Sequence, residues 1–341
     1  MGEDQFRLGG QIKVQPEDFV VEEVWGNKKY SINRPVWSRL RDKFFAPRGK
    51  GDYIHFTLVK RNWTTIKALQ YMTKRLHISL KRFGYAGMKD SRAVTAQRVS
   101  VWRVDVNELK RIRLKDVQIK DFQRSNDRIM LGDATGNRFT VTIRNIPKNK
   151  AEIRRILEAF ISIVNEEKVP NLFGPQRLQG GNVAIGQAIV NGDLKQATEI
   201  LLQKVQPYLD SGSIDKIPDK LWIEKRVLQH LKRLPNDYGG ALRKIPRNLL
   251  QIFTYSVQSQ AFNNALEKAI SEGNVPETLK VEGFHVTKMP ELSTRSFERR
   301  SHMNINDFKL QSVNDGVATI QFILGKGEYA TTLLANLVEL E

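Results

Sequence analysis

Apolar and polar residues alternate at two periods along this chain, and the dominant period changes with position. Ile54, Phe56 and Leu58 alternate with His55 and Thr57, the two-residue repeat of a strand over 53–59. Thr64 or Thr65 offers a cap, and Ile66, Leu69, Met72 and Leu76 then recur at the spacing of one helix face. Val99 and Val101 mark a strand over 97–104, Val117 and Ile119 another, and Phe139, Val141 and Ile143 a third. Ile153, Ile156, Leu157, Phe160, Ile161 and Val164 form the apolar stripe of an amphipathic helix. Upstream, 11–24 reads as extended, with a turn at Pro16-Glu17-Asp18 ahead of Phe19-Val20-Val21. Beyond Pro170 the helical period takes over, with helices predicted over 194–205, 220–231 and 249–270. Strand character returns at 308–310 and 317–324, around the hairpin signal Asn314-Asp315-Gly316, and a last helix is predicted over 328–340. Strands and helices mixed without a strict βαβ rhythm argue for an α+β fold. The helical block between two sheet-forming regions reads as an insertion, giving one domain from 1–171 and 306–341 and an inserted one over 172–305.

Charge adds a functional direction to this pattern. Fifty-five Lys and Arg against 37 Asp and Glu leave a net +18, an imbalance that ion-pair enrichment does not produce and that draws polyanions, chiefly nucleic acid. Segment 34–50 interleaves Arg39, Arg41, Lys43, Arg48 and Lys50 with Trp37, Phe44 and Phe45. That mixture suits backbone neutralisation with base stacking, or equally a loop pinned by buried aromatics. The chain has no cysteine, which excludes disulfides, thiolate catalysis and cysteine-ligated metal sites. His55, His77, His230, His285 and His302 include no pair at helical metal-binding spacing, so metal-independent chemistry is expected. No apolar run reaches the roughly 18 residues of a membrane span, and the first residues lack a secretory pattern; a cytoplasmic protein without membrane contact is expected.

The densest polar constellation runs from Gly84 to Gln97 and joins a glycine-permitted turn to a strand. Asp90 lies in its loop, where a rigid scaffold can present a reacting group, and Thr95 and Gln97 alternate onto one side of the strand. On physical grounds alone a Lys-Asp pair in a loop is also an ordinary solvated turn. The run Ala86-Gly87-Met88-Lys89-Asp90, continued by Ala93-Val94-Thr95-Ala96-Gln97, resembles the hallmark of the TruD pseudouridine synthases. Five further matches follow the family's order: Lys13 with 16–23, Gly136-Asn137-Arg138-Phe139, 169–177, Gln258-Ser259-Gln260-Ala261-Phe262-Asn263, and 326–331. The chain departs from the family pattern at Leu178-Gln179, at Gly325 and Glu328, and at Ala335-Asn336.

The resemblance implies a mixed-sheet catalytic domain carrying an inserted, mainly helical α/β TRUD domain. It implies that the chain isomerises uridine in tRNA to pseudouridine without a cofactor or metal, with uridine 13 the favoured target. Asp90 matches the family's catalytic aspartate; its attack on the sugar, attack on the base and removal of a sugar proton stay open. Lys13 matches the active-site lysine and is expected to pair with Asp90, with adjacent Lys89 as the rival partner. Phe139 is expected to stack on the uracil, Asn137 to bond its edge or the backbone, and Phe19 to line the same pocket. Thr95 and Gln97 join this substrate site as supports of the Asp90 loop. Arg243, Lys244 and Arg247 are candidate phosphate contacts, and a monomer acting on RNA is expected. The competing readings are a non-catalytic RNA-binding or RNA-chaperone protein, which gives Asp90 no purpose, and a metal-dependent nuclease, which needs clustered ligands that the sequence lacks.

Overall fold

The computed structural model describes residues 6–33, 42, 45–179, 181–212 and 214–339. Its strands in chain order are β1 (Phe19–Trp25), β2 (Lys28–Lys29), β3 (Tyr53–Arg61), β4 (Phe83–Tyr85), β5 (Val94–Trp102), β6 (Val117–Ser125) and β7 (Gly136–Ile143). They continue as β8 (Thr278–Val281), β9 (Phe297–Arg300), β10 (Ile305–Asn314) and β11 (Val317–Gly325). The fold is α+β, and the chain divides into two compact units, 1–169 with 303–341, and 170–302.

The first unit is built on a sheet of order β10-β11-β7-β1-β5-β3-β6, with β2 beside β1 and β4 beside β5. Its β1–β5 pair is parallel, Val20 lying opposite Val94 and Val21 opposite Thr95, while the other pairings are antiparallel. Register sets Phe322, Phe139, Val21, Thr95 and Lys60 in one row across β11, β7, β1, β5 and β3. Residues paired across a ladder share a face, so that face passes from aromatic to aliphatic to polar along the row. Its two ends are dry. At one, Phe19, Phe139, Val141, Ile320 and Phe322 form a core with Ile153, Leu157 and Phe160 of the helix Lys150–Glu166. At the other, Ile54, Phe56, Leu58, Val99 and Val101 form a core with Ala68, Leu69 and Met72 of the helix Thr65–Leu76. Thr64 caps that helix, its hydroxyl accepting from the Lys67 amide at 3.2 Å. Where β1 meets β5, Glu23, Thr95, Gln97 and Lys60 interrupt the apolar face.

Strand β5 starts three residues earlier than its apolar alternation indicates. Val94 is laddered to both Val20 and Arg61, and polar Thr95 and Gln97 occupy the positions that would have carried the signal. The last helix spans only Ala330–Leu334 instead of 328–340. Before it, the Glu328 carboxylate is taken up by the Gly325 and Asn304 amides, each at 2.7 Å. After it, the Asn336 side chain donates to the carbonyls of Thr332 and Leu333 and competes with further helical turns. Leu340 lies outside the described residues.

The second unit packs the 25-residue helix Arg247–Ser271 against Asn182–Val190. The two come close at Gly186, where an added Cβ would sit 2.1 Å from the Phe253 carbonyl oxygen. Around them gather Ile185, Ile189, Leu201, Val227, Leu242 and Leu250, and a second cluster joins Phe173, Phe262, Leu266 and Val281. Strands β8 and β9 pair antiparallel here, each only four residues long and too short to register above the helical pattern. Among the described residues no helix is long and apolar enough to cross a membrane.

Candidate active site

The Asp90 loop leaves β4 and turns back into β5, and its backbone is bonded at several successive residues. Gly84, at its start, must be glycine, because a Cβ there would meet the Ile129 carbonyl oxygen at 2.3 Å. Gly87 is not under that constraint; an added Cβ meets nothing closer than the Lys89 ammonium at 3.8 Å. The Gln97 amide donates to the Gly87 carbonyl at 3.0 Å and accepts from the Thr65 hydroxyl at 2.7 Å. Thr65 in turn accepts from the Lys89 amide at 3.2 Å. Lys60 donates to the carbonyls of Asp90 and Lys89, at 2.8 and 3.3 Å. These bonds hold the loop backbone and leave the Asp90 side chain 58% exposed, so the carboxylate is presented rather than buried.

Lys13 meets it from a strap fixed at both ends. Gln11 exchanges main-chain bonds with Arg144 at the end of β7, and Asp18, in the turn Pro16–Asp18, accepts from the Gln15 amide and from Arg144 Nε. Between them Lys13 adopts φ 58°, a left-handed conformation that few non-glycine residues take. Its ammonium lies 2.9 Å from Asp90 Oδ2 and 4.3 Å from the centroid of the Phe19 ring. An ion pair this exposed adds little to stability; what it provides is an oriented cation beside the carboxylate. The rival Lys89 turns away, pairing at 2.8 Å with Glu23, whose side chain is fully buried. Glu23 also accepts from the Arg98 amide at 2.8 Å and the Trp25 indole at 3.0 Å, so its charge is matched and its oxygens are bonded.

The remaining residues continue from this pair into the sheet. Phe19 meets Phe139 edge-on, ring centroids 5.9 Å apart, so contacts run unbroken from Asp90 through Lys13 and Phe19 to Phe139. Phe139 is only 8% exposed and stacks on Phe322 with centroids 5.4 Å apart, so one of its faces is already used. Asn137 shares the face of Phe139, opposite Glu23, and its Oδ1 is buried without a hydrogen-bond partner among the described residues. The same holds for the Thr95 hydroxyl, which is fully buried. Both residues lie on the sheet face that carries Phe139 and Lys60.

The profile of the family described as tRNA pseudouridine synthase D (TruD) matches residues 3–278 and 275–337, nearly the whole chain. The chain belongs to the tRNA pseudouridine synthase D family. A Methanosarcina barkeri protein named "Probable tRNA pseudouridine synthase D" is 28% identical over 432 aligned residues, spanning 98% of this chain and 94% of its own length. A protein of the same name from Methanosarcina acetivorans is 33% identical over 291 residues, which span 78% of this chain and 61% of that protein. A crystal structure titled "Putative tRNA pseudouridine synthase D (TruD)", from Methanosarcina mazei, matches with TM-score 0.70 at 26% identity and covers 98% of this chain and 94% of that one.

For a TruD chain, the three basic residues singled out in the second unit do not act alike. Arg243 donates to the Glu291 carboxylate at 2.7 Å and to the Lys288 carbonyl, and Arg247 to the Glu291 carbonyl at 3.2 Å. Both guanidinium groups tie their helices to the turn Pro290–Leu292. Lys244 instead lines a depression of about 250 Å³ with Arg226, Gln229, His230 and Arg233. Of segment 34–50, Trp37, Arg39, Arg41, Lys43 and Phe44 lie outside the described residues, and Phe45 is 66% exposed. Among the described residues no group of three or more His, Asp or Glu is placed to hold a metal. Sequence reasoning passed over Glu23, Thr65 and Lys60. The signal for two of them was a charge on an apolar face: Lys60 continues Ile54-Phe56-Leu58 at the same period, and Glu23 continues Phe19-Val21.

Proposed function

We propose that this chain isomerises uridine in tRNA to pseudouridine through the Asp90 carboxylate, without a cofactor, uridine 13 being the favoured target by likeness to the family. The observation that carries the reading is the Lys13–Asp90 pair at 2.9 Å, held on a braced loop beside Phe19 and Phe139. The reaction breaks the bond between ribose carbon 1 and uracil N1, turns the base, and joins ribose carbon 1 to uracil carbon 5. The proton on carbon 5 is lost and N1 gains one, so nothing is consumed. Attack on the sugar, attack on the base and removal of a sugar proton all require an ionised carboxylate within reach of a base taken out of the RNA stack. Lys13, its ammonium 2.9 Å from Asp90 Oδ2, orients that carboxylate. The buried Asn137 Oδ1 is an acceptor complementary to the N3–H of uracil, and Phe139 supports the loose base from its remaining face. In the second unit, Lys244, Arg226 and Arg233 are better disposed toward phosphates than Arg243 and Arg247, which are already bonded within the fold.

The test is Asp90→Asn, which keeps the size of the side chain and removes its charge. Pseudouridine formation on unmodified tRNA is lost while tRNA affinity stays within about threefold, since the carboxylate repels phosphate rather than binding it. A non-catalytic RNA-binding protein would make no pseudouridine with either side chain.

A further inference from the structure

The Asp90 crest is braced by a lysine whose side chain is wholly buried. Lys60 is 0% exposed and stands on β3 opposite Thr95 on β5 and Val117 on β6. An apolar residue would extend the Ile54-Phe56-Leu58 face without the cost of desolvating an ammonium. What the ammonium adds is specific: it donates to the carbonyl of Asp90 at 2.8 Å and to that of Lys89 at 3.3 Å, two adjacent peptide groups at the point where the carboxylate leaves the backbone. We propose that Lys60 is a positioning residue for the reaction, a buried cation that clamps the backbone of Lys89 and Asp90 and thereby sets where the Asp90 carboxylate points. The inference rests on Asp90 being the reacting carboxylate.

The clamp carries a proton that can be lost near neutrality. Burial holds the Lys60 pKa down to about 8; the nearby Asp90 carboxylate opposes that shift and the Lys89 ammonium adds to it. Among the described residues these are the charged groups that act on it, both from the loop, and Thr95 and Val117 across the ladder are neutral. A neutral amine keeps two N–H donors but loses the charge that makes such bonds roughly twice as strong.

The test measures kcat and KM on unmodified tRNA for the full chain and for Lys60→Met, from about pH 6 to about pH 9.5, with tRNA affinity, a thermal melt and Asp90→Asn alongside. In the unmodified chain kcat falls several-fold as pH rises through about 8. In Lys60→Met kcat at neutral pH drops about ten- to a hundredfold, KM and tRNA affinity stay within about threefold, and the decline near pH 8 is absent. A folded Lys60→Met that turns over within about twofold of the unmodified chain, or that keeps the decline, overturns the proposal. If Lys60→Met does not fold, the profile of the unmodified chain decides: a decline near 8 supports the clamp, and a rate level up to about 9.5 overturns it. An active Asp90→Asn overturns the clamp together with the reading beneath it, whereas an inactive Asp90→Asn with unimpaired Lys60→Met overturns the clamp alone.

Discussion

Lys13 and Asp90 come together from two separately anchored segments: one from a strap bonded to Arg144, the other from a loop bonded to Gln97, Thr65 and Lys60. Because the pair is exposed, Lys13→Met should lower kcat by about tenfold or more and leave the melting temperature nearly unchanged; a large loss of stability would make Lys13 a structural residue instead. Lys60 gives a second prediction at this scale, with opposite signs for rate and stability. Its folded pKa of about 8 lies below the ordinary 10.5. Between those values the unfolded chain holds a proton that the folded chain has released, so this group's contribution to stability rises with pH in that window. Urea unfolding should therefore show a smaller gain, or a larger loss, between about pH 8 and 10 in Lys60→Met than in the unmodified chain. Asp90 and Lys13 were legible only through motif likeness, because a Lys-Asp pair in a loop has no distinctive physics. Which lysine faces Asp90 was settled by Glu23, whose buried carboxylate takes Lys89. Phe139 reads as a core residue and as a site residue in the same sequence pattern, and in the structure it packs in the core beside the site.

At the scale of elements, each helix on the shared face of the sheet stabilises one flank of the polar gap. Leu69 is fully buried under the helix Thr65–Leu76, so Leu69→Ala should cost about 2–5 kcal/mol in urea unfolding. Thr64→Ala, which removes only the cap, should cost about 1 kcal/mol. Activity per folded molecule should follow the same order, since Thr65 and the loop it holds ride on that helix; a Leu69→Ala protein with reduced stability and undiminished turnover when fully folded would show that the site does not depend on this packing. Helices with an unbroken apolar stripe, such as Lys150–Glu166, were plain in the sequence. The start of β5 was not, because polar Thr95 and Gln97 face the gap, and the last helix was overextended because Glu328 and Asn336 spend their side chains on backbone groups that would otherwise continue it. The misread positions at β5 are those where the apolar pattern gives way to the site.

For the whole molecule, the net charge of +18 sets the terms of RNA binding. Affinity for tRNA should fall steeply with salt, the logarithm of the association constant declining with that of salt concentration by roughly 0.7–0.9 per neutralised phosphate. Lys244, Arg226 and Arg233 each replaced by alanine should flatten that slope by about one, whereas Arg243→Ala, whose guanidinium is already paired with Glu291, should leave it nearly unchanged; a slope insensitive to the first three would place the RNA elsewhere. In the function proposed here, a single carboxylate at residue 90 performs the isomerisation. Incubation of unmodified tRNA with the unmodified chain and with Asp90→Asn, followed by mapping of pseudouridine at every uridine, tests it most directly. New pseudouridine, at uridine 13 foremost, is expected with the unmodified chain and none with the variant at comparable tRNA occupancy; equal product from the two would show that Asp90 does not carry the reaction.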